Sequence, residues 1–478
     1  VNHRSAVSFY GEELMRLGFR RILLVIFIIP FMSTARAQET PAPLLSSAGA
    51  SPSQRWEREA PAERAFTLDE AIALALKNTP RLQAASHLME AARQRVNVAK
   101  AGQATRWEGV SGYELAPRHE IPQGFTARLA LKKTLYDGGQ TKALVQQAEA
   151  EVNSYQAQYA TAQLDVILAV KQTFYDVLYY QQLATLKREA VKRAEGYVEL
   201  AKGLFDKGQV PERDIIQAQA SLALAKSEVI SAEGQVSAAQ AALRSAMGLP
   251  WDAPLEVTGE WSPPEELPDL KTFIEQAMRQ HPALHQAQAD LAAAEAAVRV
   301  AESQRKPTAS VSTTGGVQER NLPPTRGLFV FGATVRIPFQ DGGRAKAEIA
   351  EAKANLAHAA AALEQIKRDV ERQVGQAWHR AQSARGKIEA VTAAILPAQE
   401  SLRLAEAQYR AGVGTLLGIQ EAQVNLLTAL HNRIEAIYAY RQAEAQLQYA
   451  ASTTIGVPNK TMQAGCLRCG ALASRGQF

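Results

Sequence analysis

The amino-acid sequence predicts a mainly α-helical chain that also carries four β-strands of the kind a membrane barrel uses. Three observations predict it. One structural plan is used twice along the chain, proline-free alanine-rich tracts run far beyond the length of globular helices, and between them lie short runs in which every second residue is apolar. The chain has 478 residues, 46% of them hydrophobic but only 6% aromatic. That balance suits long, closely packed helices better than a thick globular core.

The duplication is visible in three blocks that recur in the same order. Leu68 to Pro80 matches Leu270 to Pro282, Leu135-Tyr136-Asp137-Gly138-Gly139 matches Phe339-Gln340-Asp341-Gly342-Gly343, and Leu200 to Leu222 matches Leu404 to Leu426. The expected organisation is a first repeat over residues 66–249, a proline-rich linker over 250–268 and a second repeat over 269–458. Each repeat reads as helix, two strands, very long helix, turn and returning helix. The first helix is expected to be capped near Thr67 and to carry Ile72, Leu74, Leu76 and Leu82.

The strands follow. Phe125, Ala127, Leu129 and Leu131 alternate with Thr126, Arg128, Ala130 and Lys132, and Phe331, Ala333, Val335 and Ile337 alternate with Gly332, Thr334 and Arg336. Weaker partners lie upstream, marked by Trp107, Tyr113 and Leu115 in one repeat and by Val311 and Val317 in the other. Each run is about the 9–11 residues that cross an outer membrane. The strands alone fit a soluble sheet with one wet face as well as they fit a membrane barrel. Lys132 and Arg336 fall on the polar phase and are expected to face the lumen of a barrel. The D-G-G runs, Asp137-Gly138-Gly139 and Asp341-Gly342-Gly343, read as turns after the strands.

The helices favour the barrel. Gln140 to Leu204 contains no proline, and its roughly 65 residues would span about 98 Å. Ala148, Val152, Tyr155, Tyr159, Ala162, Val166 and Ala169 follow coiled-coil spacing. Arg344 to Arg410 repeats the length, with a kink expected at Pro397. Such helices need neighbours along their whole length. Four strands cannot close a membrane barrel, which begins at about eight, and an open edge is not viable in lipid. A membrane reading therefore demands that several copies share one barrel.

The N-terminal residues carry a different signal. Arg16, Arg20 and Arg21 precede the apolar run Ile22 to Met32, and Ala35-Arg36-Ala37 fits a small-x-small cleavage site. Residues 1–37 are expected to be a secretory signal peptide with Met15 as its start, and the mature chain to begin at Gln38. No cysteine follows the cleavage site, so no N-terminal lipid anchor is expected. No later run of about 18 apolar residues exists to form a transmembrane helix. The formal net charge of +5 is concentrated here, in Arg4, Arg16, Arg20, Arg21 and Arg36 against Glu12 and Glu13. The remainder is a mixed-charge surface, which argues against a nucleic-acid partner. Residues 38–65 and 459–478 are expected to be poorly ordered. Cys466 and Cys469 form a lone C-x-x-C in that tail, an incidental or structural pair in preference to a metal or redox site.

Taken together, the signal peptide, the two halves opening on Leu68 to Pro80 and Leu270 to Pro282, the D-G-G turns, and the tip motifs (Phe205, Gly208 and Ala218-Gln219; Tyr409, Gly412 and Ala422-Gln423) resemble the TolC-type outer-membrane factor family. The resemblance covers nearly all of Phe66 to Pro458. It implies a homotrimer with a twelve-stranded barrel, four strands per chain, continued by a long α-helical periplasmic barrel. It further implies outer-membrane lipid around the barrel, a periplasmic adaptor (membrane fusion protein) and an inner-membrane pump of the RND or ABC type. The linker would lie at a belt around the tunnel's middle. The tips Gly208, Gln209, Val210 and Gly412, Val413, Gly414, Thr415 would meet the adaptor. Asp214 keeps an aspartate that the family places before the tip's A-Q helix and is the candidate aperture residue, whereas Gly418 replaces it in the second half.

The implied function is a passive exit duct in efflux or type I secretion in a Gram-negative bacterium. The alternatives are a periplasmic structural coiled-coil protein or an adaptor. No catalytic motif, phosphate loop, dinucleotide fingerprint or metal-ligand spacing of histidines is present, so no enzyme activity and no cofactor are expected.

Overall fold

A computed structural model of the protein describes residues 65–114, 124–259, 261, 267–319 and 327–452. All of these fall within the unit Pro61–Phe478. The expected signal peptide, the segment 38–64, Leu115 and the tail with Cys466 and Cys469 lie outside the described residues.

The first half runs α1 (Leu68–Asn78), α2 (Pro80–Lys100), β1 (Arg106–Glu114), β2 (Gly124–Tyr136), α3 (Gln140–Phe205) and α4 (Glu212–Ala246). The second runs α5 (Leu270–Gln280), α6 (Pro282–Ser303), β3 (Thr308–Glu319), β4 (Gly327–Arg336), α7 (Arg344–Ala393), α8 (Ile395–Arg410) and α9 (Leu416–Ala450). No described helix is long and apolar enough to cross a membrane.

Thr67 caps α1 as expected, and does so reciprocally: its hydroxyl accepts from the Glu70 N–H while the Glu70 carboxylate accepts from the Thr67 N–H at 3.0 Å. The single opening helix is corrected to two. Proline disfavours helical geometry in the residue before it, so α1 ends at Asn78 and Pro80 starts α2 at its first turn; Pro282 separates α5 from α6 in the same way. Leu82 therefore packs from α2.

The D-G-G runs do more than turn the chain. The Asp137 carboxylate accepts from the Gly139 N–H at 3.0 Å and from the Thr141 N–H at 2.8 Å, and Asp341 accepts from the Gly343 N–H at 3.0 Å and the Ala345 N–H at 2.8 Å. Each aspartate thus caps the N-terminus of a long helix, where unpaired N–H groups and the helix dipole favour a negative charge. Gly139 and Gly343 both have φ near +88°, at 88° and 87°, a left-handed conformation that glycine adopts without strain.

The helix α3 is 66 residues long, about 99 Å at 1.5 Å per residue. Of the expected seam only Ala148, Ala162 and Val166 are buried; Val152, Tyr155 and Tyr159 are half-buried, Ala169 is exposed, and Ala150, Ser154, Ala157, Val170, Phe174, Val177 and Leu178 are buried beside it. A straight helix of 3.6 residues per turn drifts from a heptad, so the contact face rotates around it. It packs on α1, α2, α4, α6 and α9. The matching stretch of the second half is broken into α7 and α8 at Ala394. Pro397 has no N–H to give the Ala393 carbonyl, which places the kink one turn before the proline.

No single core exists among the described residues. One buried cluster joins α1, α3 and the end of α4 with Leu255 and Val257 of the linker; a second joins α5, α6, α7 and the end of α9; a third lies where α3, α4, α8 and α9 meet. The linker crosses near the middle of α3. Thr258 N–H donates to the Phe66 carbonyl at 3.1 Å, Gly259 lies against Phe174 and Leu178, and the Trp378 indole of α7 donates to the Pro268 carbonyl at 3.0 Å.

The four strands form one antiparallel sheet in the order β1-β2-β3-β4, so the two halves meet between β2 and β3. Ile337 lies just past the end of β4.

Asp137 gives the first test. Burial acts to raise its pKa, but the bonds from Thr141, Gly139 and Gln103 outweigh burial and hold the carboxyl below its usual range. A lowered folded pKa means the contribution is present above the unfolded value near 3.9 and is lost as pH falls through the folded one. Asp137→Ala should cost about 1 kcal/mol in denaturant unfolding of the detergent-extracted protein near neutral pH. The cost should disappear in acid, and equal stability at neutral pH would contradict the capping role.

Candidate functional site

Two regions hold the residues that the sequence marks: the sheet and the helix tips. In the sheet, directly paired positions share a face. Arg106, Lys132, Ser312 and Gly332 form one row across all four strands, and the adjacent row is Trp107, Leu131, Thr313 and Phe331. Period-two alternation extends both rows. One face carries Trp107, Leu129, Leu131, Val311, Phe329, Phe331 and Val335. The other carries Arg106, Arg128, Lys132, Ser310, Ser312, Thr314, Thr334 and Arg336. Lys132 and Arg336 thus share the polar face, with Arg336 opposite Thr308.

The apolar face is uncovered among the described residues. Trp107 is 66% exposed, Phe331 69% and Phe329 77%. A contiguous patch of large apolar side chains is far from what water favours and fits a hydrocarbon surround. Charges on this face stand only at its ends, at Lys133 and at the position of Glu319. Neither β1 nor β4 has a strand on its outer side among the described residues.

At the other end of the long helices, α3 and α8 each stop in the same way. Gly208 N–H donates to the Phe205 carbonyl and Gln209 N–H to the Leu204 carbonyl; Gly412 and Val413 repeat this with Tyr409 and Gln408. This six-to-one pattern closes a helix on a left-handed residue, and Gly208 and Gly412 have φ of 71° and 74°. Gly414 lies so close to the preceding turn that a Cβ would come 2.9 Å from the Tyr409 nitrogen. Thr415 caps α9 by accepting from the Gly418 N–H at 3.2 Å. Val413 is 80% exposed, Gln209 is exposed, and Val210 packs partly into the tip cluster.

Asp214 is buried in the first turn of α4 and accepts a hydrogen bond from the Tyr409 hydroxyl at 3.1 Å. The two tips are therefore tied to each other. Gln217 donates to Gln420 at 2.8 Å, and Gln420 donates to the Ser221 hydroxyl at 2.8 Å. Burial, then the Asp214 charge, push the Tyr409 hydroxyl up to about 12.

Three more bonds of this kind run along the helices, and the sequence did not reveal them. Tyr197 donates to Glu406 at 2.8 Å, Tyr438 to Asp176 at 2.7 Å and Tyr449 to Asp165 at 2.8 Å. Each links a residue of the first half to one of the second. The buried Lys171 ammonium adds a bond to Gln448 on the same seam. A faint signal existed: Asp165, Lys171 and Asp176 stand among buried apolar residues of α3, and Tyr438, Tyr440 and Tyr449 crowd the end of α9.

Among the described residues no group of three or more histidine, cysteine, aspartate or glutamate side chains is placed to hold a metal ion.

This architecture has known relatives. Nodulation protein T of Rhizobium leguminosarum bv. trifolii is 26% identical over 322 residues, covering 66% of this chain and 69% of that protein. Protein CyaE of Bordetella pertussis is 25% identical over 406 residues, covering 80% and 84%. The structure of the Campylobacter jejuni CmeC outer membrane channel superposes with a TM-score of 0.71 at 18% identity, over 83% of this chain and 88% of that one. The model of the outer membrane efflux protein family matches residues 71–249 and again 273–453, one match for each half of the duplication. With both halves matched and most of the chain covered, the protein belongs to the outer membrane efflux protein family.

Proposed function

We propose that this outer membrane efflux protein works as a passive exit duct built from three copies. Their sheets close edge to edge into a twelve-stranded barrel, and their long helices continue it through the periplasm. The linker forms a belt around the helices, and the tips dock on a periplasmic adaptor that serves an inner-membrane pump of the RND or ABC type. The duct itself catalyses nothing; the pump supplies the energy. Lys132 and Arg336 face its lumen.

The observation that carries this reading is the sheet. Among the described residues one face is apolar and uncovered and both edges are open, and the sheet continues into a helix of 66 residues. In hydrocarbon every backbone N–H and C=O must be paired, which only closure can achieve for strands. A coiled-coil scaffold or an adaptor has no use for such a face.

The tips support docking and gating together. They are narrow, end in glycines and expose Val413, and Asp214 is held by Tyr409 of the other half. Asp214 is the proposed aperture residue, and the Tyr409 bond is what keeps the two tips together.

Two outcomes test these roles. Gly208→Phe and Gly412→Phe should each impair export in cells while the oligomer extracted from the membrane stays intact. Gly412→Ala controls for backbone strain, since any side chain meets the same left-handed φ. Normal export in both phenylalanine variants would remove the tips as the docking surface.

Tyr409→Phe should raise single-channel conductance in a planar bilayer. A tyrosine whose folded pKa is raised contributes below its ordinary value near 10 and loses that contribution as pH rises through about 12. The wild-type tip should accordingly loosen across that interval, and the Phe variant should show no such step. Equal conductance in both proteins would mean that the bond does not limit the aperture.

A further inference from the structure

The polar face of the sheet is not evenly polar. Arg106 on β1 and Lys132 on β2 stand directly opposite each other. Like charges at paired positions repel and destabilise a sheet. Arg128 lies on the same face four residues along β2, opposite Val110 and Gly316, and Arg336 ends β4 on that face. All four side chains are exposed.

None of the four makes an ion pair among the described residues. The helices behave otherwise: Arg81, Lys187 and Arg188, for example, each have a carboxylate within 2.5 to 2.8 Å. Acidic positions on the polar face are few. Glu108 lies between Arg106 and Val110, opposite Ala130, and Glu114 holds the last position of β1. The other positions around the cations are uncharged: Ser310, Ser312, Thr314 and Gly332 are small or polar, and Val110 and Val330 are exposed apolar side chains.

No hydrogen bond or ion pair among the described residues uses these cations. A repulsive Arg106–Lys132 pair is a local cost without a structural return, which is the pattern expected of a functional surface. A wall that presents an excess of positive charge, four cations against Glu108 and Glu114, into a confined passage with low-dielectric walls raises the local concentration of anions and lowers that of cations.

We infer that the polar face of the sheet, with Arg106, Arg128 and Lys132 at its centre and Arg336 at its periplasmic end, makes the duct select for anionic solutes. The cargo class it favours is small molecules bearing carboxylate, phosphate or sulfonate groups. This inference rests on the proposal that the face lines the lumen, and it adds the sign of the selectivity, two further residues and a substrate class.

The test is a reversal-potential measurement on the full-length protein in planar bilayers under a potassium chloride gradient. The dilute side is kept near 0.01 M, where the screening length is about 30 Å. The wild-type duct should pass chloride in preference to potassium. The double variant R106Q/K132Q should lower the chloride-to-potassium permeability ratio severalfold. It removes a repulsion, so it should fold at least as well as the wild type. Lys133→Gln, on the apolar face, should leave the ratio unchanged. A conducting wild type that prefers potassium, or a ratio that the double variant does not move, overturns the selectivity and leaves the duct standing. A ratio moved as far by Lys133→Gln as by the double variant overturns the assignment of faces. A protein that does not conduct at all overturns both the duct and the selectivity.

Discussion

Unpaired backbone at the two edges of the four-stranded sheet constrains everything else in this protein. An edge strand presents a row of N–H and C=O groups, each of which costs several kcal/mol if it is left unmatched in hydrocarbon. The outer strands β1 and β4 have no neighbour on that side among the described residues, and the sheet's apolar face would otherwise stand in water. Closing the edges needs more than the four strands of the described residues. The proposed sharing of one barrel by three copies would follow from the backbone, and the long helices would inherit the symmetry that it imposes.

The helical part answers a different problem. A helix of about 99 Å cannot bury one stripe in one globule. Here α3 rotates its contact face as it passes α1, α2, α4, α6 and α9, and the buried clusters are thin and separate. Alanine at many contacts allows close approach but contributes little apolar area per residue. The hydrogen bonds from Tyr449, Tyr438, Tyr197 and Tyr409 to carboxylates across the halves fix register where the apolar contacts are too uniform to do so. Burial raises the pKa of Asp176, so the Tyr438 hydroxyl and the Gln442 amide are what keep that carboxylate tolerable in the seam.

Much of the plan could be read from the residues, because the periods are strong. Period two placed Lys132 and Arg336 on one face, and the absence of proline after Gln140 marked α3 to within a residue of its end. Other features were harder for identifiable reasons. Pro80 and Pro282 stood in plain view within the repeat motif, yet they start second helices rather than end the first ones. The D-G-G runs looked like turns, and only the distances from Asp137 and Asp341 to the following N–H groups show them as caps. The weak alternation of β1 hid Arg106, whose face is set by pairing with Lys132. The tyrosine–carboxylate bonds join residues some two hundred positions apart or more, and the duplication gives no hint of them, since one half supplies the acid where the other supplies the hydroxyl.

The most direct test of the shared barrel is the number of chains in the particle that detergent extracts from the outer membrane, measured by native mass spectrometry. Three chains per particle are what edge closure into a twelve-stranded barrel predicts. A single chain that stays in solution without detergent would contradict it, and so would a dimer, whose eight strands would close a barrel of a different size.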